Sequence, residues 1–362
     1  YRKLNAATIT DIFSLPFTDS ILDTVAGHDC YRFLDGFNDY NQICMPQEDQ
    51  EKTSFVTDWG LFVAVVMMFG LKTAPATFQC IISEIFDDFI PVFMQVFLYD
   101  FIVYGHHAEY LQNLQLCLDR CRKAWLSLNS AKCAFQVRSN ALLGHIISKD
   151  GITMDPAKVQ AILHAPAPTT ARALNRFLGQ IRWHSRMLWY LADFATLLHA
   201  AVHTVPFRWT EQEDTTYQSL KVMLSHTSVV QPPDWTQPFH VFLDESGIAI
   251  GSTLMQRTPP DWFCPVYYTS RRLSHAEKNY SMTKKEAVGM IYNISKFRHY
   301  LLGRKFTFDV DHSTLFYLFD KQALTGLLAR WMWLLQEFDF KIQHRLGLSL
   351  PSGNRRIAGS GI

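Results

Sequence analysis

The chain has 362 residues, 48% of them hydrophobic and 14% aromatic, with a formal net charge of +1. That length is too great for one small domain; it predicts about two or three, with ample apolar content for real cores. Near-neutrality excludes a chain that holds nucleic acid by bulk charge, so any basic surface has to be local.

The first part, to about Ser148, mixes helices and strands. "TAPATFQCIISEIFDDFI" has helical spacing after Pro75. "QVFLYDFIVYG" places two apolar, β-branched runs around a polar centre and predicts a hairpin with its tip near Tyr99-Asp100. "AEYLQNLQLCLDRCRKAWLSLN" reads as an amphipathic helix with Leu111, Leu114, Leu118 and Trp125 on one face. "ALLGHIISKDGI" reads as a strand and a turn. From Asp155 the pattern turns helical, through "PAKVQAILHAPAP", a well-capped "TTARALNRFLGQIRWHSRML" and a helix from about Thr210. The proline-rich "VVQPPDWTQP" marks a domain boundary. Beyond Pro238 the strands "FHVFLDES", "IAIGSTLMQ" and "PVYYTSRRL" precede a helix, "KKEAVGMIYNISKFRHYL", and an alternation of strand and helix to "DFKIQHR". That order predicts a compact α/β module.

The seven cysteines are scattered and contain no CxxC pair. Cys117 and Cys121, one helical turn apart, lack further close ligands for zinc and read as ordinary reduced thiols. No signal peptide opens the chain. The most apolar region, Ile90 to Tyr104, is interrupted by Pro91 and Asp100 and is too short to span a membrane. The start at Tyr1, without methionine, reads as a fragment.

Two sets of acids are the candidates for chemistry. In the first module Asp35 ends a strand-like run and Asp100 lies at the hairpin. Adjacent strands would bring both to one sheet edge, where carboxylates bind Mg²⁺ and leave coordination positions for phosphates. In the last module Asp244 closes a strand, Glu286 opens the main helix and Asp311 closes another strand. Singly, each acid reads as a turn, cap or helix-dipole residue.

The order of "YRKLNAATITDIFSLPF", "FLDGFNDYNQI", "FGLKTAPATFQ", "FLYDFIVYG", "LSLNSAKCAF" and "LLGHIIS" resembles a reverse transcriptase. "VFLDES", "NYSMTKKEAV", "KFRHYLLGRKF", "DVDHSTL" and "LARWMWLLQEFDFKIQHR" resemble the ribonuclease H domain that follows it in the Pol polyprotein of gypsy-type LTR retrotransposons (Metaviridae). The likeness runs from Tyr1 to about Gly347. It implies an α+β fold: a right-hand polymerase palm and fingers over 1–148, a helical thumb and connection over 149–236, and an α/β ribonuclease H-like domain over 237–354, with an unmatched tail over 355–362. It implies two Mg²⁺ ions per site, with Mn²⁺ as a substitute. The implied partners are an RNA template, a DNA primer, an RNA–DNA hybrid and deoxynucleoside triphosphates, with no membrane. The implied location is a cytoplasmic particle.

By the same resemblance, Asp35 is the first metal-binding aspartate, and Gly36 and Phe37 lend backbone near the triphosphate. Tyr40 crowds the sugar 2′ position. Phe69, Gly70, Lys72, Pro75 and Gln79 shape the nucleotide and template floor, and Lys132 stands near the leaving pyrophosphate. Asp244, Glu286 and Asp311 are three of four nuclease carboxylates. The cluster Lys296, Arg298, His299, Arg304 and Lys305 reads either as a contact for hybrid phosphates or as cations complementing a helix end.

The departures from the family are specific. Tyr99 stands where the hairpin's first aspartate belongs, and a phenol with a pKa near roughly 10 is neutral at physiological pH. Asp100 matches the second, less direct acid. Asn38-Asp39 replaces a small Ser-Gly, Met68 a proline and Thr73 an asparagine, and Glu245 adds an acid after Asp244. Asn354 falls where the fourth nuclease acid belongs, inside a stretch that looks like a broken reading frame. The polymerase site is therefore expected to be inactive. The alternatives are a non-catalytic nucleic-acid-binding remnant and a residual ribonuclease H.

Overall fold

The computed structural model of the chain describes residues 1–9, 13–227, 229–258, 262–310 and 326–344. Asp311, Asn354 and the tail over 355–362 lie outside the described residues, as does the side chain of Glu245. The chain divides into two compact units, one ending at Gly151 and one beginning at Ile152. No helix among the described residues is long and apolar enough to cross a membrane.

The first unit is built on α1 (Thr18–Val25), β1 (Cys30–Asp35), α2 (Ala74–Ile85), β2 (Met94–Phe97), β3 (Asp100–Gly105), α3 (Tyr110–Lys123) and β4 (Ala134–Val137). Its antiparallel sheet runs β2-β3-β1-β4. Phe78 and Ile82 of α2 and Phe86 just beyond it meet Met94, Val96, Phe101 and Val103 of the sheet in one core. Burying each such side chain contributes about 1.5–3 kcal/mol, which outweighs the weak intrinsic preferences of these short strands.

Helix α3 turns a different face inward from the one its leucines predict. Leu111 is 73% and Trp125 91% exposed, and Trp125 lies beyond the helix at φ 56°. The buried stripe is Tyr110, Cys117 and Cys121, with Leu114 packed beside it. Burial pushes the Cys117 thiol up to about 12 and the Cys121 thiol up to about 11, as inert core thiols require. Small sulfur side chains let α3 approach the sheet more closely than leucines would, and Cys117 Sγ lies 3.7 Å from Met94 Sδ.

The second unit opens with four helices, α4 (Pro156–Leu163), α5 (Ala171–Trp183), α6 (Leu191–Val202) and α7 (Glu211–Ser225). Their starts follow from sequence. Asp155 caps α4, Thr170 caps α5, and Thr210 with Glu213 forms a capping box on α7. Then come β5 (Phe239–Glu245), β6 (Ala249–Thr258), β7 (Trp262–Arg272), α8 (Met282–Lys296), β8 (Lys305–Val310), α9 (Leu327–Leu335) and β9 (Asp339–His344). The sheet order is β7-β6-β5-β8-β9, antiparallel through the first three and parallel from β5 to β9. The proline-rich segment lies inside this unit. Val230 and Ile152 exchange backbone hydrogen bonds of 3.1 and 2.9 Å, and Gln231 N–H donates to Pro265 O at 2.8 Å.

Candidate active site

The hairpin register decides the polymerase site. Phe97 pairs with Asp100, which leaves Leu98-Tyr99 as the turn, one residue earlier than the apolar pattern centres it. Asp100 is therefore the first ladder residue of β3, and it sits directly opposite Asp35 on β1. Leu98 occupies the left-handed region at φ 53°, which a branched side chain adopts only under constraint. Gln79 supplies that constraint from α2. Its Oε1 accepts from Leu98 N–H at 2.6 Å and its Nε2 donates to Val96 O at 3.1 Å. Gln79 is 1% exposed, so its effect on the site floor runs through the hairpin it pins.

A loop after α3 closes over the end of β1. Asn129 N–H donates to Asp35 O at 2.8 Å and Phe37 N–H to Ser127 O at 2.9 Å. Gln42 ties the same loop, accepting from Ser127 N–H at 2.6 Å and donating to Phe37 O at 2.5 Å. The loop delivers Lys132, whose Nζ lies 3.2 Å from Asp35 Oδ2. Gly36 N–H donates to Tyr99 O at 3.2 Å, which fixes the tyrosine's backbone beside the acids, while its side chain is 39% exposed.

A third acid joins them. Asn38 and Asp39 have φ of 55° and 34°, left-handed values that suit the small Ser-Gly they replace. This bend folds Asp39 back toward Gly36: a Cβ on Gly36 would stand 2.8 Å from Asp39 Oδ1. That oxygen is buried without a hydrogen-bond donor among the described residues. Burial, then Asp35, then Asp39 push the Asp100 carboxyl up to about 6, with Lys132 opposing. Burial first and Asp35 second also raise Asp39.

Tyr40 is buried, its ring centroid 4.8 Å from Phe69 and 5.5 Å from Phe78. Pro75 lies in the first turn of α2. Asn5 organises the preceding segment: it donates to Gly70 O at 2.7 Å and accepts from Lys72 N–H at 2.9 Å. Gly70 takes φ +91°, which explains the glycine.

Crowded carboxylates short of positive charge, one with an orphaned buried oxygen, fit a hard divalent cation by donor type and charge. Among the described residues no group of three or more acid, histidine or cysteine side chains forms a ready-made metal cage. Mg²⁺ does not demand one, because it shares its coordination with waters and substrate phosphates.

In the second unit, Asp244 lies on β5 opposite Gly251 of β6. Helix α8 packs on β5 so closely that a Cβ on Gly289 would stand 2.6 Å from Leu243 Cδ1. Glu286, one turn earlier on the same helix face, is 1% exposed. The residue of β5 that meets α8 here is Leu243, the neighbour of Asp244, which packs one turn beyond Glu286. Ser246 Oγ, two residues beyond Asp244, donates to Asp193 at 2.9 Å, and Tyr190 packs on Gly251. The helices of this unit therefore abut the acidic edge.

The basic cluster read from sequence is engaged in part. Arg298 forms a bidentate pair with Glu337, Lys305 stands 3.9 Å from Asp339, and Arg304 donates to Trp235 O at 2.7 Å. Those acids arrive from the segment around β9, about as far along the chain as the sheet's last strand.

The first unit is thus an antiparallel sheet edged by acids, and the second a five-stranded mixed sheet packed against helices. The family described as reverse transcriptase (RNA-dependent DNA polymerase) matches residues 1–147, and the RNase H-like domain found in reverse transcriptase matches residues 234–338. The retrovirus-related Pol polyprotein from transposon 297 of Drosophila melanogaster is 32% identical over 354 residues, 96% of this chain and 33% of that protein. The corresponding polyprotein from transposon 412 of the same organism is 32% identical over 351 residues, 96% of this chain and 28% of that protein. The chain thus spans about a third of the length of these relatives. The foamy viral protease–reverse transcriptase dRH, in complex with double-stranded DNA, shares the fold at a TM-score of 0.86 and 17% identity, over 96% of this chain and 62% of that one. The foamy viral protease–reverse transcriptase in complex with RNA/DNA hybrid does so at 0.82 and 17%, over 98% and 49%. The chain belongs to the reverse transcriptase–ribonuclease H region of retrotransposon Pol polyproteins.

Proposed function

We propose that the polymerase site of this chain is defective and that its nuclease site retains the means to cut the RNA of an RNA–DNA hybrid. The carrying observation is the register: Asp35 faces Asp100 across β1 and β3, and the turn residue before Asp100 is Tyr99. Asp35 and Asp100, with Asp39 beside them, would hold Mg²⁺ or Mn²⁺. The ion, when bound, supplies the charge stabilisation on which phosphoryl transfer depends. A neutral phenol in the family's carboxylate position withholds part of that charge. Lys132, 3.2 Å from Asp35, would meet a leaving pyrophosphate. Tyr40, backed by Phe69 and Phe78, presents a rigid ring toward a deoxynucleotide sugar. In the nuclease, Asp244 and Glu286 would hold the metal.

The substrates of this reading are an RNA template, a DNA primer, deoxynucleoside triphosphates and the hybrid. The foamy viral neighbours in complex with double-stranded DNA and with RNA/DNA hybrid support nucleic acid as the partner.

Primer extension and hybrid cleavage are measured side by side on the wild-type chain and Tyr99→Asp, in Mg²⁺ and in Mn²⁺. The expected result is hybrid cleavage by both chains, no extension by the wild type, and extension raised on the order of 10²-fold above background in the variant. Robust Mg²⁺-dependent extension by the wild type would overturn the polymerase half. Absence of cleavage by a folded sample in either metal would overturn the nuclease half.

A further inference from the structure

A cavity of about 550 Å³ lies within the second unit, between α5 and α6 on one side and β7 and α8 on the other. Ligand pockets typically measure about 300–1,000 Å³. Its polar rim is one-signed: Arg182, His199, Arg271, Arg272 and Lys296 line it, and none of the described lining residues is acidic. Arg271 is already engaged, in a bidentate pair with Glu277 at 2.8 Å on both branches. Arg182, Arg272 and Lys296 have no carboxylate within ion-pair distance among the described residues; the recorded contact of Lys296 is with the Tyr267 ring, at 4.9 Å. Helix dipoles account for part of this arrangement, because Arg182 and Lys296 end α5 and α8. They do not account for Arg272, which ends a strand.

We infer that this cleft is a binding site for the phosphate backbone of a nucleic-acid strand, gripped by Arg182, Arg272 and Lys296. The inference rests on the reading of the chain as a nucleic-acid enzyme and adds the place of contact. Three unneutralised cations at the mouth of one cleft supply the charge that phosphates replace their counterions with. Tyr267 and Tyr268 on its wall are buried and the Tyr292 hydroxyl is engaged by Thr269 Oγ1 at 2.6 Å, so what the cleft offers is charge to a backbone and not a platform for bases. The local positive potential is felt by His199, whose pKa is lowered by burial first and by Arg182 next. The cations stand on three elements far apart in sequence, so the charge is concentrated only by folding.

The test is hybrid binding by the full chain as a function of salt, in EDTA, for the wild type, R182A/R272A and a charge-matched control, R172A/R208A, drawn from exposed arginines outside the cleft. The expected result is a roughly tenfold loss at low salt and a salt slope shallower by about 2 in the cleft variant, with a smaller change in the control. Equal changes in both variants would overturn the inference, since net charge would then explain them. Inorganic tripolyphosphate is the competing probe: if it binds the wild type in the cleft while hybrid binding is indifferent to R182A/R272A, the site takes a small anion and the inference fails. If the wild type binds no hybrid at any salt, the functional reading falls with it. K296Q, which leaves the helix intact, is expected to reproduce about half of the slope change.

Discussion

At the end of β1, Asp35, Asp39 and Asp100 stand together, half-buried, with a single lysine against them. In the second unit Asp244 lies on β5, and Glu286, 1% exposed, is carried on a helix packed tightly against that strand through Gly289. The first site is assembled from turns and a loop, and its acids compete with one another. The second is assembled from a strand and a helix. Loop-built sites change their charge balance with single substitutions, such as Tyr99 or Asp39. Sites locked into a core resist them, because the surrounding packing penalises any alteration.

The largest effect that would sharpen this comparison lies in the nuclease. Glu286→Gln keeps the shape and removes the charge. Hybrid cleavage is expected to fall by roughly 10²–10³-fold, with hybrid binding in EDTA unchanged. Cleavage at the wild-type rate would break the assignment of Glu286.

The next effect tests the turn-built side. Gln79→Ala removes both anchors of the hairpin and leaves a half-buried Leu98 N–H without its partner. The expected cost is about 2–3 kcal/mol, read by urea unfolding, with amide exchange accelerated first at Leu98. Uniform exchange across the unit would show that Gln79 is not the pin of the turn.

The Asp35–Asp100 juxtaposition followed from one hairpin and one strand. Tyr99 was visible directly. The supports were not. Gln79 reaches the hairpin across 17 and 19 residues, and Gln42 reaches the Lys132 loop across 85, to backbone groups that no side-chain pattern marks. Asp39 converges on the site only because two consecutive residues take left-handed φ, which spacing does not reveal. Leucines signal burial more loudly than cysteines, yet α3 buries Cys117 and Cys121 and leaves Leu111 exposed. The pairing of Arg298 with Glu337 was hidden for a similar reason: that acid lies 39 residues further along the chain.

The smallest effects set the two regions against each other by pH. Glu277, in the second unit, is lowered to about 2 by Arg271 first and then by the Ser274 cap, from an ordinary value of 4.5. Its stabilisation is present above the unfolded value and is lost as pH falls toward about 2. Glu277→Gln is therefore expected to cost about 1–2 kcal/mol at neutral pH and nothing near the bottom of that window. Asp100 behaves oppositely. Its folded value of about 6 exceeds the ordinary 3.8, so between them the folded chain keeps a proton that the unfolded chain releases. Stability then declines as pH rises through the window. In EDTA, Asp100→Asn is expected to raise the melting temperature above about pH 6, by an amount equivalent to about 1 kcal/mol, and to leave it unchanged below about pH 4. Added Mg²⁺ should narrow the gap by stabilising the wild type alone. A stabilisation independent of pH would mean that the aspartate's shape rather than its charge is what the hairpin tip resists.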